Sequence, residues 1–426
     1  MPLSRRNFLK AAAASVLALW AGKIPHARAA ASYTGLRQIV TRDMSSSRTI
    51  MWQAHALPQD THLELRTAAD APAERIDASY TRLDQDDAVN YFFAASLMGL
   101  TPGSFYAFRV VWDGAAGPWY PLHTGSAGAK TCTALLLTDS QCADYAVFRR
   151  VLDAAVQQHG AVDFLADLGD LTDNGESDWH WRSFTAAMGD AWARLPFAPV
   201  MGNHECYGLQ WQMCLPTRYL ANFVLPPNGS PRFPGYYYDF TVGPVHFFVL
   251  NTQFLELRDL RPGLAQEQLL WFRRAAAAAQ EPWKVVLMHK DILAYDEYQE
   301  GTQTTGGFSD VGNALMPAFD ALGIDLVLTG HMHTYRNRGH IYAKQPSDHG
   351  PVYVLSGPAG DQTYTVPADP LDKVAVPQPT RNNYLTLEAS ETALALHAWY
   401  VDGTPIDTIS LTKDDAKAKA GHPQKK

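Results

Sequence analysis

The feature that most constrains this chain is a series of short apolar runs, each ending in a residue able to ligate a metal ion. The runs begin after residue 130, alternate with segments of helical patterning, and are LLLTDSQ, FLADLGD, PVMGNH, VVLMH and LVLTGHMH. Strands that alternate with helices predict an α/β domain. Because ligands bind at the carboxyl ends of the strands in open α/β sheets, the five run ends are expected to meet at one site.

The candidate ligands at these ends are carboxylate, imidazole and amide side chains: Asp139, Gln141, Asp170, Asn203, His289, His331 and His333. This donor set contains no thiolate and suits a borderline or hard metal ion. Asp170 is predicted to bridge two cations, because a carboxylate has two oxygens to share. Two ions roughly 3.5–4 Å apart could hold a bridging hydroxide and clamp a phosphoryl group for in-line attack.

The first 29 residues have the pattern of an export signal. Arg5 and Arg6 precede Phe-Leu-Lys, an alanine- and leucine-rich stretch and the small-residue sequence ARA. This pattern predicts a twin-arginine signal peptide over residues 1–29, the twin-arginine export machinery as a partner, and a periplasmic or secreted protein. The apolar run is too short and too rich in alanine to span a bilayer comfortably, so no stable membrane anchor is expected after cleavage.

Charge argues against nucleic acid as a partner. The predicted signal holds five of the 35 basic residues and none of the 43 acidic ones, which leaves 30 basic against 43 acidic and a formal charge of −13. So acidic a surface is a poor platform for nucleic acid or anionic membranes. The four cysteines, Cys132, Cys142, Cys206 and Cys214, permit two disulfides in an exported protein. Structural roles are expected for them, and their pairing stays open.

Two kinds of patterning predict two domains. Residues 30–126 alternate like half-buried strands, for example at 49–54 and 61–67. The sequence GLTPGSFYAF, with Tyr106, is similar to the tyrosine corner of a fibronectin type III-like sandwich. A small-residue linker then leads to the predicted catalytic domain, residues 127–412, and the charged tail 413–426 is expected to be disordered.

Five motifs resemble, in order and spacing, those of calcineurin-like metallophosphoesterases, and among these most resemble the purple acid phosphatases. They are Asp139-x-Gln141, Gly169-Asp170-Leu171-Thr172-Asp173, Gly202-Asn203-His204-Glu205, His289 and Gly330-His331-Met332-His333. The resemblance extends over residues 35–412. It implies an α/β sandwich of two mixed sheets flanked by helices, preceded by a small all-β sandwich domain.

The resemblance also implies a dinuclear centre of two metal ions, Fe, Mn or Zn. Carried over position by position, the first ion would be held by Asp139, Asp170 and His333, with Gln141 as a further ligand, and the second by Asp170, Asn203, His289 and His331. His204 would orient the substrate or protonate the leaving group, so His204 and Asp170 are the catalytic candidates. The implied activity is hydrolysis of a small phosphate ester, with monoesters favoured and a metal-bridging hydroxide as nucleophile.

Two positions depart from that pattern. Asp173 stands where the purple enzymes have the tyrosinate that colours their iron, and it is expected to support the ligands from behind. Gln141 stands where the wider group has a histidine. A neutral amide oxygen is a weaker ligand than an imidazole nitrogen, so weaker binding of the first ion and no purple chromophore are expected.

Several residues and functions stay open as alternatives. Tyr207, Asp291, Tyr335 and Arg336 could contact substrate or could be ordinary surface residues, and loops at 174–185 and 205–235 are expected to wall the pocket. A phosphodiesterase could use the same metal frame, including one with Cys142 as a ligand. The alternative outside enzymes is a binding or scaffold protein whose metal site has decayed, which Gln141 favours.

Overall fold

A computed structural model describes residues 33–295 and 305–413 of the 426-residue chain. The predicted signal peptide at 1–29 and residues 414–426 of the predicted tail lie outside the described residues. None of the helices in the described ranges combines the length and apolar character needed to cross a membrane.

The first half of the described chain is dominated by strands. They are β1 (Thr34–Ile39), β2 (Arg48–Ala54), β3 (Thr61–Arg66), β4 (Glu74–Asp77), β5 (Ser79–Gln85), β6 (Ala88–Leu97), β7 (Phe105–Trp112), β8 (Ala115–Ala116), β9 (Tyr120–His123), β10 (Thr131–Leu137), β11 (Phe164–Asp167) and β12 (Pro196–Pro199). The strands that follow are β13 (Tyr238–Val242), β14 (Val245–Leu250), β15 (Trp283–Met288), β16 (Leu293–Tyr295), β17 (Thr305–Phe308), β18 (Leu326–Thr329), β19 (Arg336–Tyr342), β20 (Gln345–Pro346), β21 (Val352–Leu355), β22 (Val374–Ala375), β23 (Asn383–Ser390), β24 (Ala393–Tyr400) and β25 (Pro405–Thr412).

Helices connect the parallel strands. They are α1 (Tyr145–His159), α2 (Asp178–Met188), α3 (Ala191–Arg194), α4 (Thr217–Asn222), α5 (Leu264–Ala278) and α6 (Asp310–Leu322), and a single 3-10 turn spans His204–Cys206. The Asp144 side chain caps the start of α1 by accepting a hydrogen bond from the N–H of Ala146, and Gly160 follows the last residue of this helix. Residues 178–185 were expected to form part of a loop. That expectation is wrong, because Ser177 accepts a hydrogen bond from the N–H of His180 and begins α2.

Two mixed sheets face each other, which confirms the predicted fold class. The first has the strand order β25-β24-β23-β10-β11-β12-β1-β2-β6-β5, and the second has the order β13-β14-β15-β18-β21-β19-β20, with β22 paired to β19. In each sheet the central strands are parallel and the outer ones antiparallel. Parallel strands need helical crossovers, which is why helices lie outside the pair of sheets.

Successive phenylalanines of β14 show how the layers pack. The Phe247 ring points between the sheets, 5.0 Å from the ring of Phe164. The Phe248 ring points outward, 5.3 Å from Phe272 of α5, which in turn meets Phe319 of α6. Side chains alternate faces along a strand, so a continuous apolar run is what a strand covered on both faces requires.

Residues 34–123 form a β-sandwich whose two sheets enclose their own core. A sheet of order β4-β3-β7-β8, with β9 on β7, packs against β2, β6 and β5, and Trp52, Phe93 and Phe108 are buried between them. The Tyr106 hydroxyl accepts a hydrogen bond from the N–H of Thr101 at 2.9 Å. This contact ties the preceding turn to the strand.

The sandwich is not connected to the rest of the molecule by the linker alone. Strand β1 pairs in parallel with β12, with Ile39 opposite Phe197, so the first sheet runs without a break from one region into the other. The buried Arg37 guanidinium donates to the carbonyl oxygen of Asn222, and the Asp86 carboxylate accepts from the N–H of Asp178 at the start of α2. The sandwich therefore supports the helices that surround the strand ends.

All four cysteines are thiols in this structure. Cys132, Cys142 and Cys206 are buried, and Cys214 is half-buried. Burial raises the pKa of each thiol, to about 12 for Cys142 and about 11 for Cys214. The buried cysteines act as small apolar residues of the core.

Candidate metal centre

The predicted ligands come together where the carboxyl ends of the two sheets face each other. Asp139, Asp170 and Asn203 follow β10, β11 and β12, three parallel neighbours of the first sheet. His289 and the pair after β18 follow two parallel neighbours of the second sheet. Each strand thus delivers a side chain to the same edge, as its position in the sequence predicted.

The side chains form two groups that share one carboxylate. Ligand atoms of Asp170, His289 and His331 all lie within 4.8 Å of one another, and so do those of Asp139, Asp170 and His333. These are the carboxylate and imidazole members of the two ligand sets expected from the sequence. Since the groups overlap at Asp170, this residue is placed to contact two ions.

The two amide side chains lie beside these groups. Asn203 Oδ1 is 3.0 Å from His289 Nε2, and Gln141 Nε2 is 3.1 Å from His333 Nε2. Gln141 Oε1 is buried and has no hydrogen-bond partner among the described residues. A buried acceptor without a donor is costly unless something else satisfies it, and a cation would do so. The residues present therefore fit two metal ions.

Four of the predicted ligands have a backbone conformation that side chains rarely adopt. The φ angles are +53° at Asp139, +55° at Asp170, +79° at His331 and +48° at His333. Left-handed backbone outside glycine costs about 1–3 kcal/mol at each residue and persists where the surroundings enforce it, which is most often at functional sites. This strain turns each side chain back over the end of its strand and into the centre.

Glycines allow the strand ends to approach closely. A Cβ on Gly202 would lie 2.1 Å from Asp170 Oδ1, and one on Gly330 would lie 1.9 Å from Thr138 Oγ1. A Cβ on Gly169 would lie 2.6 Å from His289 Nδ1. The glycine that precedes Asp170, Asn203 or His331 is therefore required for space, and Gly169 is also required for its φ of +109°.

Backbone carbonyls orient three of the imidazoles. The Nδ1–H of His289 donates to Leu168 O at 3.0 Å, and that of His333 donates to Gln362 O at 2.8 Å. His204 Nδ1–H likewise donates to Asp173 O at 2.6 Å. A proton fixed on Nδ1 leaves Nε2 to face the centre, which is how outer partners usually set a ligand histidine.

Burial and charge fix the protonation of these groups. Burial lowers the pKa of His333 to about 4 and the pKa of His331 well below its usual value, so both are neutral ligands near pH 7. Burial also lowers the pKa of His289, but the Asp170 carboxylate outweighs it and raises that pKa to about 9. Burial likewise opposes the charge on Asp170, yet His289 and His204 hold its pKa well below the usual range. An ion would replace the proton on His289.

Glu205, to which the sequence assigned no role, fastens the centre together. Its buried carboxylate accepts from the N–H of Gly202 at 2.7 Å, of Asp170 at 3.0 Å, of Leu171 at 2.8 Å and of Thr172 at 3.2 Å. Burial, together with the charge of Asp170, raises its pKa to about 7. The side chain therefore joins the loops after β11 and β12.

Asp173 contacts two residues that lie beside the predicted ligands. Its carbonyl oxygen holds His204, and its Oδ1 accepts from Gln362 Nε2 at 2.7 Å. The neighbouring Tyr364 ring stacks on His333 at 4.2 Å. Gln362 and Tyr364 were missed in the sequence because they follow β21, whose run PVYVLSGP ends in no ligating side chain.

Two residues that the sequence left open as substrate contacts or surface residues are buried, and a third forms a buried ion pair. The Tyr335 hydroxyl donates to Asp407, and the guanidinium of Arg336 donates to Thr334 Oγ1 and the carbonyl of Val366; both residues are 1% exposed. Asp291 is buried rather than solvated, and it accepts two hydrogen bonds from Arg338 at 2.8 and 2.7 Å. These residues face inward, and each has a hydrogen-bond partner within the protein.

Tyr207 does lie at the centre. Its hydroxyl accepts from Asn203 Nδ2 at 3.2 Å, and its ring lies 5.1 Å from that of His204. Cys142 belongs to neither ligand group of the described residues. A thiolate ligand at Cys142 is therefore not what this geometry favours.

The model of a known protein family matches residues 132–335 of the sequence, a range that includes all of the predicted ligands. The chain carries a calcineurin-like phosphoesterase domain. Human acid phosphatase type 7 is 24% identical to this chain over 304 residues, which are 65% of this chain and 66% of that protein. Arabidopsis thaliana purple acid phosphatase 15 is 25% identical over 185 residues, which are 43% of this chain and 32% of that protein. The chain thus spans less than two thirds of the length of these relatives.

Solved structures carry the same fold across both regions. A purple acid phosphatase from yellow lupin (Lupinus luteus) seeds matches with a TM-score of 0.70 at 17% identity, covering 91% of this chain and 76% of that one. The structure of PhoD matches with a TM-score of 0.63 at 13% identity, covering 91% of this chain and 90% of that one. Both matches include the calcineurin-like phosphoesterase domain and extend well beyond it.

Proposed function

We propose that this protein is an exported, dinuclear-metal phosphoric-ester hydrolase that acts chiefly on phosphomonoesters. The observation that carries the proposal is that two groups of ligand side chains share Asp170, with His204 Nε2 3.9 Å from Asp170 Oδ2. Relatives named acid phosphatase and purple acid phosphatase support monoesters over diesters. Export rests on the twin-arginine pattern of residues 1–29.

The first ion would be held by Asp139, Asp170, His333 and Gln141, and the second by Asp170, Asn203, His289 and His331. When bound, ions placed in this way neutralise charge on a phosphoryl group and lower the pKa of the water that attacks it. The chain itself contributes the shape of this cavity: the buried carboxylate of Glu205 and the left-handed residues hold the ligands in place before any ion arrives.

His204 is the residue placed to handle a proton. Burial disfavours its charged form, but Asp170 together with Asp173 and Glu205 outweighs burial and raises the pKa of the imidazole. Because Asp173 O holds Nδ1–H, Nε2 faces the centre and can carry the second proton. A protonated Nε2 there can donate to the oxygen of the departing alcohol.

The centre should also differ in colour from the purple enzymes. Asp173 occupies the place of their tyrosinate, and its carboxylate binds Gln362 rather than reaching inward as a phenolate would. We therefore expect an iron-loaded protein without the purple absorption band. Which of Fe, Mn or Zn occupies the sites does not alter this expectation, since the chromophore requires the phenolate.

The test is turnover by Asp170→Asn, with Asp153→Asn as the matched control. Asp153 is an exposed carboxylate on α1 that pairs with Arg149. The metal-loaded wild type and the control should hydrolyse a phosphomonoester faster than a diester, whereas Asp170→Asn should lose nearly all turnover. Faster cleavage of the diester would favour the phosphodiesterase. Absence of turnover on both esters in the loaded wild type would contradict the hydrolase and favour the scaffold protein.

A further inference from the structure

A short hairpin follows directly after His204 and forms one side of the centre. The N–H of Cys214 donates to Cys206 O and the N–H of Gly208 donates to Gln212 O, both at 2.8 Å. At its tip the N–H of Trp211 donates to Gly208 O at 2.8 Å. Residues 206–214 are therefore a closed hairpin that begins two residues after the predicted proton donor.

Two aromatic rings of this hairpin continue the surface of His204. The ring of Tyr207 lies 5.1 Å from that of His204, and the ring of Trp211 lies 6.2 Å from it, nearly perpendicular at 89°. The Tyr207 and Trp211 rings are 5.9 Å apart. We call Tyr207 and Trp211 the aromatic wall.

Trp211 is exposed, whereas a role in folding alone would bury its ring, and Tyr207 beneath it is half-buried. Trp211 is 57% exposed, and on the same hairpin Leu209 is 41% and Met213 is 36% exposed. Trp211 also has a φ of +62°, which turns its side chain outward at the hairpin tip. Apolar side chains gathered at the mouth of a polar site are typical of ligand contacts.

The hairpin is held rigidly in place. Asn174 Nδ2 donates to Gly208 O at 2.7 Å, and the N–H of Leu209 donates to Glu176 Oε2 at 2.9 Å. The N–H of Glu176 in turn donates to Tyr207 O at 3.2 Å. A surface fixed in advance loses little conformational entropy when it binds, so the wall is suited to recognition.

We propose that the aromatic wall is a subsite for an aryl group bonded directly to the ester oxygen of the substrate, an inference that rests on the proposed function. His204 is placed to face that ester oxygen. A ring attached to the oxygen would therefore lie beside the aromatic wall and stack on Trp211. One side chain that holds the hairpin is the carboxylate of Glu176, which would repel a second phosphate. These surroundings favour a neutral ring over a second phosphate.

The kinetic test compares kcat/KM for phenyl phosphate and ethyl phosphate in metal-loaded wild type and variants. Each variant is compared with the wild type on the same ester, so the acidity of the leaving group cancels. Trp211→Ala should lower kcat/KM for phenyl phosphate about tenfold, which is the size of effect expected from losing one aromatic stacking contact. The value of kcat/KM for ethyl phosphate should stay nearly unchanged. Trp211→Phe should retain most of the preference for phenyl phosphate over ethyl phosphate. The control Tyr80→Ala, which removes a 52% exposed ring on β5, should retain all of that preference. Equal losses of kcat/KM on both esters in Trp211→Ala, or an unchanged kcat/KM for phenyl phosphate, would overturn the subsite.

Binding supplies a measurement that needs no turnover. Phenylphosphonate and methylphosphonate, which are not hydrolysed, are titrated into the metal-loaded protein and followed by calorimetry and tryptophan fluorescence. Phenylphosphonate should bind more tightly to the wild type, and Trp211→Ala should remove the difference. Equal binding of the two phosphonates by the wild type would overturn the subsite. A wild type that prefers phenylphosphonate but hydrolyses neither ester would support the subsite while contradicting the hydrolase.

Discussion

Gln141 is the residue on which the first metal position depends. Its amide lies 3.1 Å from His333, and its buried oxygen has no partner among the described residues. Because an imidazole nitrogen is a stronger ligand than an amide oxygen, Gln141→His should retain more metal per chain after dialysis. Gln280→His, an exposed change beyond α5, is the control. Equal metal retention in Gln141→His and the wild type would show that Gln141 is not a ligand.

A second prediction about a single residue concerns Glu205. Its carboxylate accepts four backbone hydrogen bonds, and Glu205→Gln would replace one accepting oxygen by a donor that faces other donors. The free energy of unfolding should fall by about 1–3 kcal/mol for the unsatisfied groups. Glu388→Gln, on an exposed position of β23, should change it by less than about 0.5 kcal/mol. Urea unfolding measures both, and equal stability of the two variants would rule out this role.

The sequence identified ligands at this scale but not the residues that hold them. A histidine or aspartate at a strand end can be identified as a possible ligand from its residue type and position. Glu205 resembles any loop carboxylate until its four hydrogen-bond donors are known. Gln362 orients His333 through its backbone oxygen, which its residue type does not reveal. The inward orientation of Tyr335 and Arg336 was not predictable for the same reason, because their partners Asp407 and Val366 lie far away in the sequence.

Among the elements, strand ends were predictable and strand neighbours were not. Short apolar runs reveal where a strand ends, and that is enough to place a ligand. The pairing of β1 with β12 joins residues separated by more than 150 positions, and nothing local in either strand specifies it. The second sheet likewise contributes the ligands after β15 and β18 by facing the first, which only the packed structure shows.

A buried charge cluster at the other end of the second sheet makes stability depend on pH. His246 Nε2 on β14 lies 2.9 Å from Asp239 Oδ2 on β13, and His246 Nδ1 lies 2.9 Å from Glu281 Oε2 before β15. Burial lowers the pKa of His246, but these two carboxylates outweigh it and raise that pKa above 6.5. The hydrogen bond from His246 lowers the pKa of Glu281 below 4.5.

The stabilisation by this cluster is therefore greatest at pH values between the lowered pKa of Glu281 and the raised pKa of His246. It is lost as pH rises through the raised pKa of His246 and as pH falls through the lowered pKa of Glu281. At pH 5.5, His246→Gln should cost about 1–3 kcal/mol of unfolding free energy, as expected for charge-assisted hydrogen bonds. At pH 9 the cost should be smaller. Urea unfolding at both values checks this, and an equal cost at both would contradict the charged cluster.

At the scale of the whole molecule, the β-sandwich and the catalytic region share a sheet. Removing residues 1–126 would expose the edge of β12 and take Ile39 and Met51 out of the main core. A chain of residues 127–413 should therefore lack a cooperative thermal transition or lose at least several degrees of Tm relative to the full chain. Circular dichroism measures this. An unchanged Tm would show that the sandwich is an independent spacer.

The most direct test of the central claim is the number of metal ions per chain, measured by elemental mass spectrometry on the purified protein. Two ions per chain are expected in the wild type, because two ligand groups share Asp170. One ion, rising to two when Mn or Fe is added, would be consistent with a weak first site at Gln141. No bound ion, even after such additions, would contradict the dinuclear centre and with it the hydrolase.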